Sequence, residues 1–403
     1  MPLTYLHGAE VIQVDDGPRP VRTVKTSVVG IIGTAPGADA AVFPLGLTLI
    51  PGSQSMLASL GLTGTLPKAL ERMYRYAAPL VAVMRIEDNA NIDTLLSNAV
   101  GSAGTYTGVH AFLRCQSLLG VKPKIFLAPG LTSQRPGNAA NPVVSALISV
   151  ADKLKGMIYA DGPSDSNAAA LTWRNDINSR RVMPWVPMVK SWDTTTSTYI
   201  DQPVSPTIVG SRVWCDNNLG FWYSVSNKIL SDVGGASRPI EFRMGDPDAE
   251  ANFLNENHLN TVINHDAGWR SWGNRVCETD PLWVFESSVR VCDAIDESVI
   301  GAAMPWIDKP IRPAIVTSLL EGGNRYMREL TAEGAILGGK MWIEPDRNQP
   351  AVIQLGRLRF EYDREPASPL EHLIYGAHRN SQYHSLLIQD VLSEANRAQA
   401  LAS

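Results

Sequence analysis

The sequence predicts an α/β fold, a mainly parallel sheet with covering helices, followed by a smaller α+β region. Three observations predict it. Through the middle of the chain short apolar segments alternate with segments of helical period, and each change is marked by turn or capping residues. Val28-Val29-Gly30-Ile31-Ile32 is an apolar, β-branched run without alternation, suited to a central strand buried on both faces. Past about Trp272 the texture changes to a helix-rich stretch, Ser287 to Arg328, followed by strand-like segments at 335–343 and 351–362.

The elements follow in order. After the central strand, Thr65 and Pro67 start a helix whose buried positions are Leu70, Met73, Tyr74 and Ala77, and Pro79 stops it. Leu80 to Ile86 resumes as a strand. Val109 to Leu119 is helical with Gly120 as terminator, and Lys124 to Ala128 is a strand ending at Pro129-Gly130. Asn141-Pro142 caps the next helix, in which Val144, Leu147, Ala151 and Leu154 make the buried stripe and Lys153 and Lys155 face the negative end of the dipole, with Gly156 closing it. Met157 to Ala160 is a strand, about 168–179 a helix, Val182 to Val189 a strand, and Ile208 to Leu230 a longer helix after Pro206.

The composition narrows function by exclusion. A chain of 403 residues suggests two or three domains. Its formal net charge of -5 and 19% charged residues offer none of the basic excess that phosphate backbones require, so no nucleic-acid partner is expected. Cys115, Cys215, Cys277 and Cys292 lie far apart with no Cys-x-x-Cys pair, which predicts buried free thiols and no zinc site. The start lacks the features of a secretory signal, so a reducing cytoplasm is expected. The apolar stretch from Val28 to Pro51 is interrupted by Pro36, Asp39 and Pro44, short of the run of about 20 residues that spans a bilayer, and no membrane insertion is expected.

Local motifs for chemistry are missing. Gly30-Ile31-Ile32-Gly33-Thr34-Ala35-Pro36-Gly37 follows a strand, but a phosphate loop needs GxxxxGK[ST] and a dinucleotide turn GxGxxG, and Pro36 has no amide hydrogen to offer. His372, His378 and His384 cannot gather around one ion in either extended or helical backbone. His258 and His265 share a helical face two turns apart, so all five read as surface histidines. There is no G-x-S-x-G elbow, and Asp161-Gly162-Pro163-Ser164-Asp165 places its glycine too early for a calcium loop. No catalytic, cofactor-binding or metal-binding residue is assigned. A triad assembled from distant positions leaves no local mark. An α/β enzyme with an active site in the loops after Ile32, Ala128 and Ala160 therefore stays open as an alternative, as does a binding module built on the ten tryptophans.

The two ends differ from the rest. Val11-Ile12-Gln13-Val14 and Val21-Arg22-Thr23-Val24 favour extended backbone, and Gly17-Pro18-Arg19-Pro20 forbids a helix between them. Residues 381–403 likewise have no partner element in sequence, so both ends read as arms.

Several stretches, in order, resemble the tail sheath protein of contractile-tailed bacteriophages and related contractile injection particles such as tailocins. They are Gly8-Ala9-Glu10-Val11, the strand from Val28 to Pro36, Lys124 to Gly130, and Ser205-Pro206 through Asp216-Asn217-Asn218-Leu219-Gly220-Phe221-Trp222. The most specific is the signature Gly268-Trp269-Arg270-Ser271-Trp272-Gly273-Asn274-Arg275, and Glu333 to Leu337, Phe360-Glu361-Tyr362 and Pro369 to Ile374 extend the likeness to the C-terminal part. The resemblance implies an N-terminal arm (1–25), an outer α/β domain (26–275), an inner domain facing a tail tube (276–380) and a C-terminal arm (381–403). It implies that the arms add strands to neighbouring subunits, through Val11, Ile12, Val14, Val21 and Val24 at one end and Leu386, Leu387, Ile388, Val391 and Leu392 at the other. The implied partners are copies of the chain in stacked hexameric rings, a tail tube protein, and baseplate and tail terminator proteins. The implied place is the sheath of a virion tail, assembled in the host bacterial cytoplasm, with no cofactor and no enzymatic activity.

Overall fold

A computed structural model describes residues 21–266 and 268–402 of the chain. The chain divides after Pro369 into two compact units. The first carries the main sheet, built in the order β1 (Val29–Thr34), β2 (Gly46–Pro51), helix α1 (Leu66–Tyr74), β3 (Leu80–Ile86), α2 (Ile92–Val100), α3 (Cys115–Leu119), β4 (Ile125–Leu127), α4 (Pro142–Leu154), β5 (Met157–Asp161), α5 (Asn167–Asn175) and β6 (Val182–Trp185). The strands lie in the order β2-β3-β1-β4-β5-β6, parallel throughout except for β2, which runs antiparallel on the edge beside β3.

The apolar run of β1 is central and buried along its whole length, as its lack of alternation requires. Successive side chains point to opposite faces. Val29, Ile31, Val81, Val83, Ile125 and Leu127 join one core with α1, whereas Ile32, Ala82, Met84, Phe126, Ile158 and Ala160 join another with α2, α4 and α5. Helix α4 begins as the sequence predicts. Asn141 accepts hydrogen bonds from the amides of Val143 and Val144 and donates to the carbonyls of Leu131 and Gln134. Its end differs: Lys155 takes the left-handed conformation (φ 49°), while Gly156 serves close packing, since a Cβ there would lie 2.5 Å from the Phe126 ring.

The remaining elements of this unit are β7 (Val189–Asp193), β8 (Thr198–Gln202), α6 (Ser205–Asn218), β9 (Gly235–Ala236), α7 (Glu250–Glu256), β10 (Thr261–His265), β11 (Gly268–Trp272), α8 (Glu286–Ala303), α9 (Pro313–Glu333), β12 (Ile336–Trp342), α10 (Pro350–Gln354) and β13 (Glu361–Pro366). Strands β7, β8 and β9 form a small antiparallel sheet, and β10–β11 and β12–β13 are hairpins. The second unit, Leu370 onward, holds α11 (Tyr383–Ala402), none of whose side chains is buried.

Two expectations are corrected, and the residues expected in the arms take other conformations in the single chain. Helix α6 stops at Asn218 instead of continuing to Leu230, because Gly220 turns the chain at φ 126° and Arg212 binds the carbonyl oxygens of Gly220 and Tyr223. The strand expected over 351–362 begins as α10, with Pro350 in its first turn and Gly356 (φ 72°) ending it, and pairing starts only at Glu361. Leu386, Leu387, Ile388, Val391 and Leu392 are helical, not extended. They sit among Gln, Glu, Ala and Arg in a stretch without Gly or Pro, where helix propensity has no opponent. Val21 and Val24 are not a free arm either. Val21 is buried against Val291, Ile295, Tyr326 and Met327 and Val24 packs beside it, while Thr23 is hydrogen-bonded to Tyr326 and the Val24 amide donates to Ser298. Val11, Ile12 and Val14 lie outside the described residues.

Candidate assembly interface

The signature residues Gly268, Trp269, Trp272, Gly273 and Arg275 come together on one hairpin and the strand that leaves it. Asn260, nearly fully buried, organises this hairpin. Its backbone bridges Trp185 at the end of β6, and its side chain donates to Pro184 and Arg275 carbonyls and accepts from the Arg275 amide. A Cβ on Gly273 (φ 127°) would lie 2.3 Å from Asn260 Oδ1, so only glycine lets the chain pass. Ser271 Oγ donates to the Val225 carbonyl at 2.7 Å, and Ser226 Oγ accepts from the Gly273 amide at 3.0 Å. Trp272 packs edge-on against Phe242 and Trp269 lies against the core. The hairpin therefore fastens the loop after α6 to the main sheet. His258, half-buried rather than on the surface, bonds through Nδ1 to the Val276 carbonyl at 3.0 Å, and burial together with the Arg174 charge lowers its pKa.

Beneath this junction lies an ionic cluster that sequence reasoning missed. Arg212 and Asp216 stand one turn apart on α6, and Glu286 and Arg290 one turn apart on α8, all four almost fully buried. Arg212 Nη2 and Arg290 Nη1 both reach Asp216 Oδ1, at 2.7 and 2.8 Å, and Tyr159 Oη from β5 donates to Glu286 at 2.6 Å. Burial alone would raise the Asp216 pKa, but Arg290 and Arg212 outweigh it and hold the carboxylate below its ordinary value. Thr26 Oγ1 donates to Asp216 at 3.1 Å and Arg290 donates to the Thr26 carbonyl at 3.3 Å. The cluster thus ties the sheet, α6, α8 and the N-terminal segment to one point. Two oppositely charged pairs at i,i+4, Arg212 with Asp216 and Glu286 with Arg290, were the available signal.

The C-terminal strand pair has no further strand beside it among the described residues, and the outer edge of β12 is bonded at Met341, whose amide and carbonyl pair with the Asn324 side chain of α9. Strand β12 pairs only with β13 among the described residues, from Ile336 opposite Pro366 to Trp342 opposite Glu361. A strand pair that small gains stability from further strands or from packing, and α9 covers one face through Met327 and Leu330. Between the ends of α8, α9, α10 and this hairpin runs a mainly apolar groove of about 920 Å³, lined by Val21, Trp306, Ile315, Leu319, Ile353 and Phe360 among others.

Of the loops where an α/β enzyme would hold its ligand, the one after β4 contributes Pro129 to a smaller pocket of about 410 Å³, lined otherwise by the turn into α1, by α1 and by the start of α6. Its one charged side chain, Lys68, is paired with Asp193 at 2.9 Å. Thr65 there bonds to Thr34. Among the described residues no group of His, Cys, Asp or Glu could hold a metal ion, and no helix is long and apolar enough to cross a membrane. The four cysteines are buried and free, and burial pushes the Cys115 and Cys277 thiols up to about 12.

Comparison with known proteins gives a consistent answer. The family described as phage tail sheath C-terminal domain matches residues 278–377. The tail sheath protein of Escherichia phage P2 is 32% identical over 400 residues, covering 96% of this chain and 99% of that one. A putative prophage major tail sheath protein of Pseudomonas aeruginosa (strain UCBPP-PA14) is 29% identical, covering 92% and 95%. In fold, the chain is similar to the contracted helical sheath of the anti-feeding prophage, with a TM-score of 0.70 at 18% identity over 94% of this chain and all of that one. The contracted sheath of an extracellular contractile injection system gives 0.67 at 14% identity over 95% and 100%. Identity at this level across nearly the full length of both chains settles the assignment: the chain belongs to the tail sheath proteins of contractile-tailed bacteriophages.

Proposed function

We infer that this sheath subunit polymerises as stacked hexameric rings around a tail tube and contracts to drive the tube through a cell envelope. The observation that carries the reading is the two-stranded β12–β13 sheet, which has no further strand neighbour among the described residues. A strand added to the edge of such a sheet joins subunits through main-chain hydrogen bonds, tolerates many side chains and needs no large flat contact. Each bond contributes about 1 kcal/mol net, while ordering an arm costs about 1–2 kcal/mol per residue, so isolated pairs associate weakly and polymerisation is nucleated. A subunit that gives and receives arms through different surfaces makes a heterologous contact, which runs on into a helical filament.

In this reading residues 26–275 form the outer domain, 276–380 the inner domain against the tube, and 1–25 and 381–403 the arms. The donated segments are Val11, Ile12 and Val14 at one end and Leu386, Leu387, Ile388, Val391 and Leu392 at the other, the latter changing from helix to strand or docking as a helix on a neighbour. The extended lattice is held by the tube and baseplate, with a terminator at its far end, and relaxes to a contracted one when triggered. Assembly takes place in the host bacterial cytoplasm. The subunit works without enzymatic activity, as its relatives are named for a structural role. Chains truncated before Val21 or after Gln382 are expected to fold and to fail to form tubes. Normal tubes from both truncations, seen by electron microscopy, would refute strand donation.

A further inference from the structure

Past Arg290, helix α8 has two different faces. Val291, Ala294 and Ile295 join a C-terminal core with Tyr326, Met327, Leu330 and Ile336, to which none of β1 to β6 contributes among the described residues. Asp293, Asp296 and Glu297, spaced three and four apart, share another side of the helix. There they meet cations at the N-terminal ends of the sheet strands. Arg181, just before β6, binds Asp293 through both terminal nitrogens and Asp152 of α4 at 3.0 Å. Lys155, ahead of β5, pairs with Asp296 at 2.8 Å. Lys124, just before β4, pairs with Glu297, and Lys122 lies 3.7 Å from the same carboxylate. Asp296 is also held from the C-terminal side, by Tyr362 at 2.6 Å and Arg364 at 2.8 Å. The seam between sheet and C-terminal core is therefore ionic, and Val289 is the last α8 residue that joins a core with the sheet.

An ionic joint opens more readily than an apolar one. The attraction within a buried pair is largely offset by the desolvation of both ions, so parting them into water costs little net free energy, although the closed geometry is sharply defined. Between Val289 and Asp293 stands Arg290, fixed to Asp216, which also binds Thr26. Beyond that point Thr23 and Val24 bond to α9 and α8. We propose that α8 is a lever that pivots at the Arg290–Asp216 contact, and that the pairs of Asp293, Asp296 and Glu297 are a latch, holding the C-terminal core at one angle to the sheet and able to open while both cores stay folded. The helix has no proline and no glycine before Gly301, so it moves as a rod. At 1.5 Å per residue Glu297 lies about 10 Å and Ala303 about 20 Å beyond Arg290, so a tilt of about 15° parts Glu297 from its lysines by about 3 Å and carries Ala303 about 5 Å. A subunit with this latch changes the spacing of its two parts without breaking a core. That role rests on the sheath reading and deepens it, whereas the latch is tested in the single subunit.

The test uses the full-length chain at concentrations where it is monomeric. Spin labels go on Leu118→Cys of α3 and Leu337→Cys of β12, both exposed, while the natural thiols are buried. With the seam unsubstituted, the label-to-label distance should be narrowly distributed at low salt. It should shift or broaden by several ångströms as salt rises to about 1 M, where the screening length falls to about 3 Å. Asp293→Asn with Glu297→Gln removes the carboxylates that face Arg181 and Lys124 and should broaden the distribution already at low salt. Lys124→Leu with Glu297→Leu replaces one pair by an apolar contact and should keep it narrow at high salt. Hydrogen exchange reports on the cores, and the amides of Ile125 to Leu127 and of Tyr326 to Leu330 should keep their protection throughout. A distribution that stays equally narrow in the Asp293→Asn, Glu297→Gln chain and at high salt overturns the proposal. So does a loss of protection in both cores whenever the distribution broadens, since seam and cores would then open as one unit. The sheath reading fails on a different result, the failure of the natural protein to form tubes with or without its tube protein.

Discussion

Replacing Arg290 with methionine tests the energetics of the junction most sharply. The natural cluster is neutral, with Arg212 and Arg290 against Asp216 and Glu286, and none of the four side chains exceeds 4% exposure. Methionine preserves most of the volume and removes one charge, leaving two buried carboxylates facing one guanidinium. Removing one partner of a buried pair costs about 3–5 kcal/mol, mostly from the uncompensated charge. The expected result is a shift of that size in guanidinium-induced unfolding of dilute subunits, with faster hydrogen exchange at Thr26, whose carbonyl Arg290 holds. Adding Asp216→Asn to the Arg290→Met chain restores neutrality, so the double variant should be more stable than the single one, a coupling that a double-mutant cycle isolates. The sign with pH follows from Asp216. Its folded pKa is below the ordinary value, so its contribution is present above that value and lost as pH falls through the lower, folded one. The deficit of Arg290→Met should therefore shrink in acid. A shift below about 1 kcal/mol at neutral pH, or one that grows in acid, would refute the reasoning.

Two further substitutions probe particular contacts. Gly268→Ala and Gly273→Ala both force alanine to a φ near 127°, but only the second meets a neighbour, Asn260 Oδ1, so Gly273→Ala should cost more than the roughly 1–3 kcal/mol of backbone strain alone, and equal unfolding midpoints would contradict this. Asp161 is buried and its pKa is pushed up to about 6, by burial above all, against hydrogen bonds from Ser205. With the folded value above the unfolded one, the native state binds the extra proton, and stability falls as pH rises through the window from about 4 to about 6. Asp161→Asn should flatten that dependence in thermal unfolding measured across the window, and an unchanged slope would contradict the assignment.

The parallel core was legible because its signals are local. The Val28–Ile32 run, the Asn141-Pro142 cap and the Leu80–Ile86 segment each state their conformation within a few residues, and β1, α4 and β3 form there. Strand β2 escaped notice because it is a half-covered antiparallel edge interrupted by turn residues on both sides. The end of α6 depends on Arg212 reaching carbonyl groups beyond the helix, a tertiary contact with no sequence period. The C-terminal residues show the opposite case. Their propensity is helical and is followed in the isolated chain, whereas the resemblance implied strands that only a neighbouring subunit could pair. The signature was visible as residues, but its role as a fastening of the loop after α6 depends on Asn260 and Ser271 bonds across up to 76 positions of sequence.

Negative-stain electron microscopy of the purified natural protein, as a concentration series in near-physiological buffer, tests the central claim most directly. Polymerisation through arms predicts long hollow tubes with a regular axial repeat above a threshold concentration, alone or when the tube protein is co-expressed. Discrete particles at every concentration, with the tube protein present as well as without it, would contradict it.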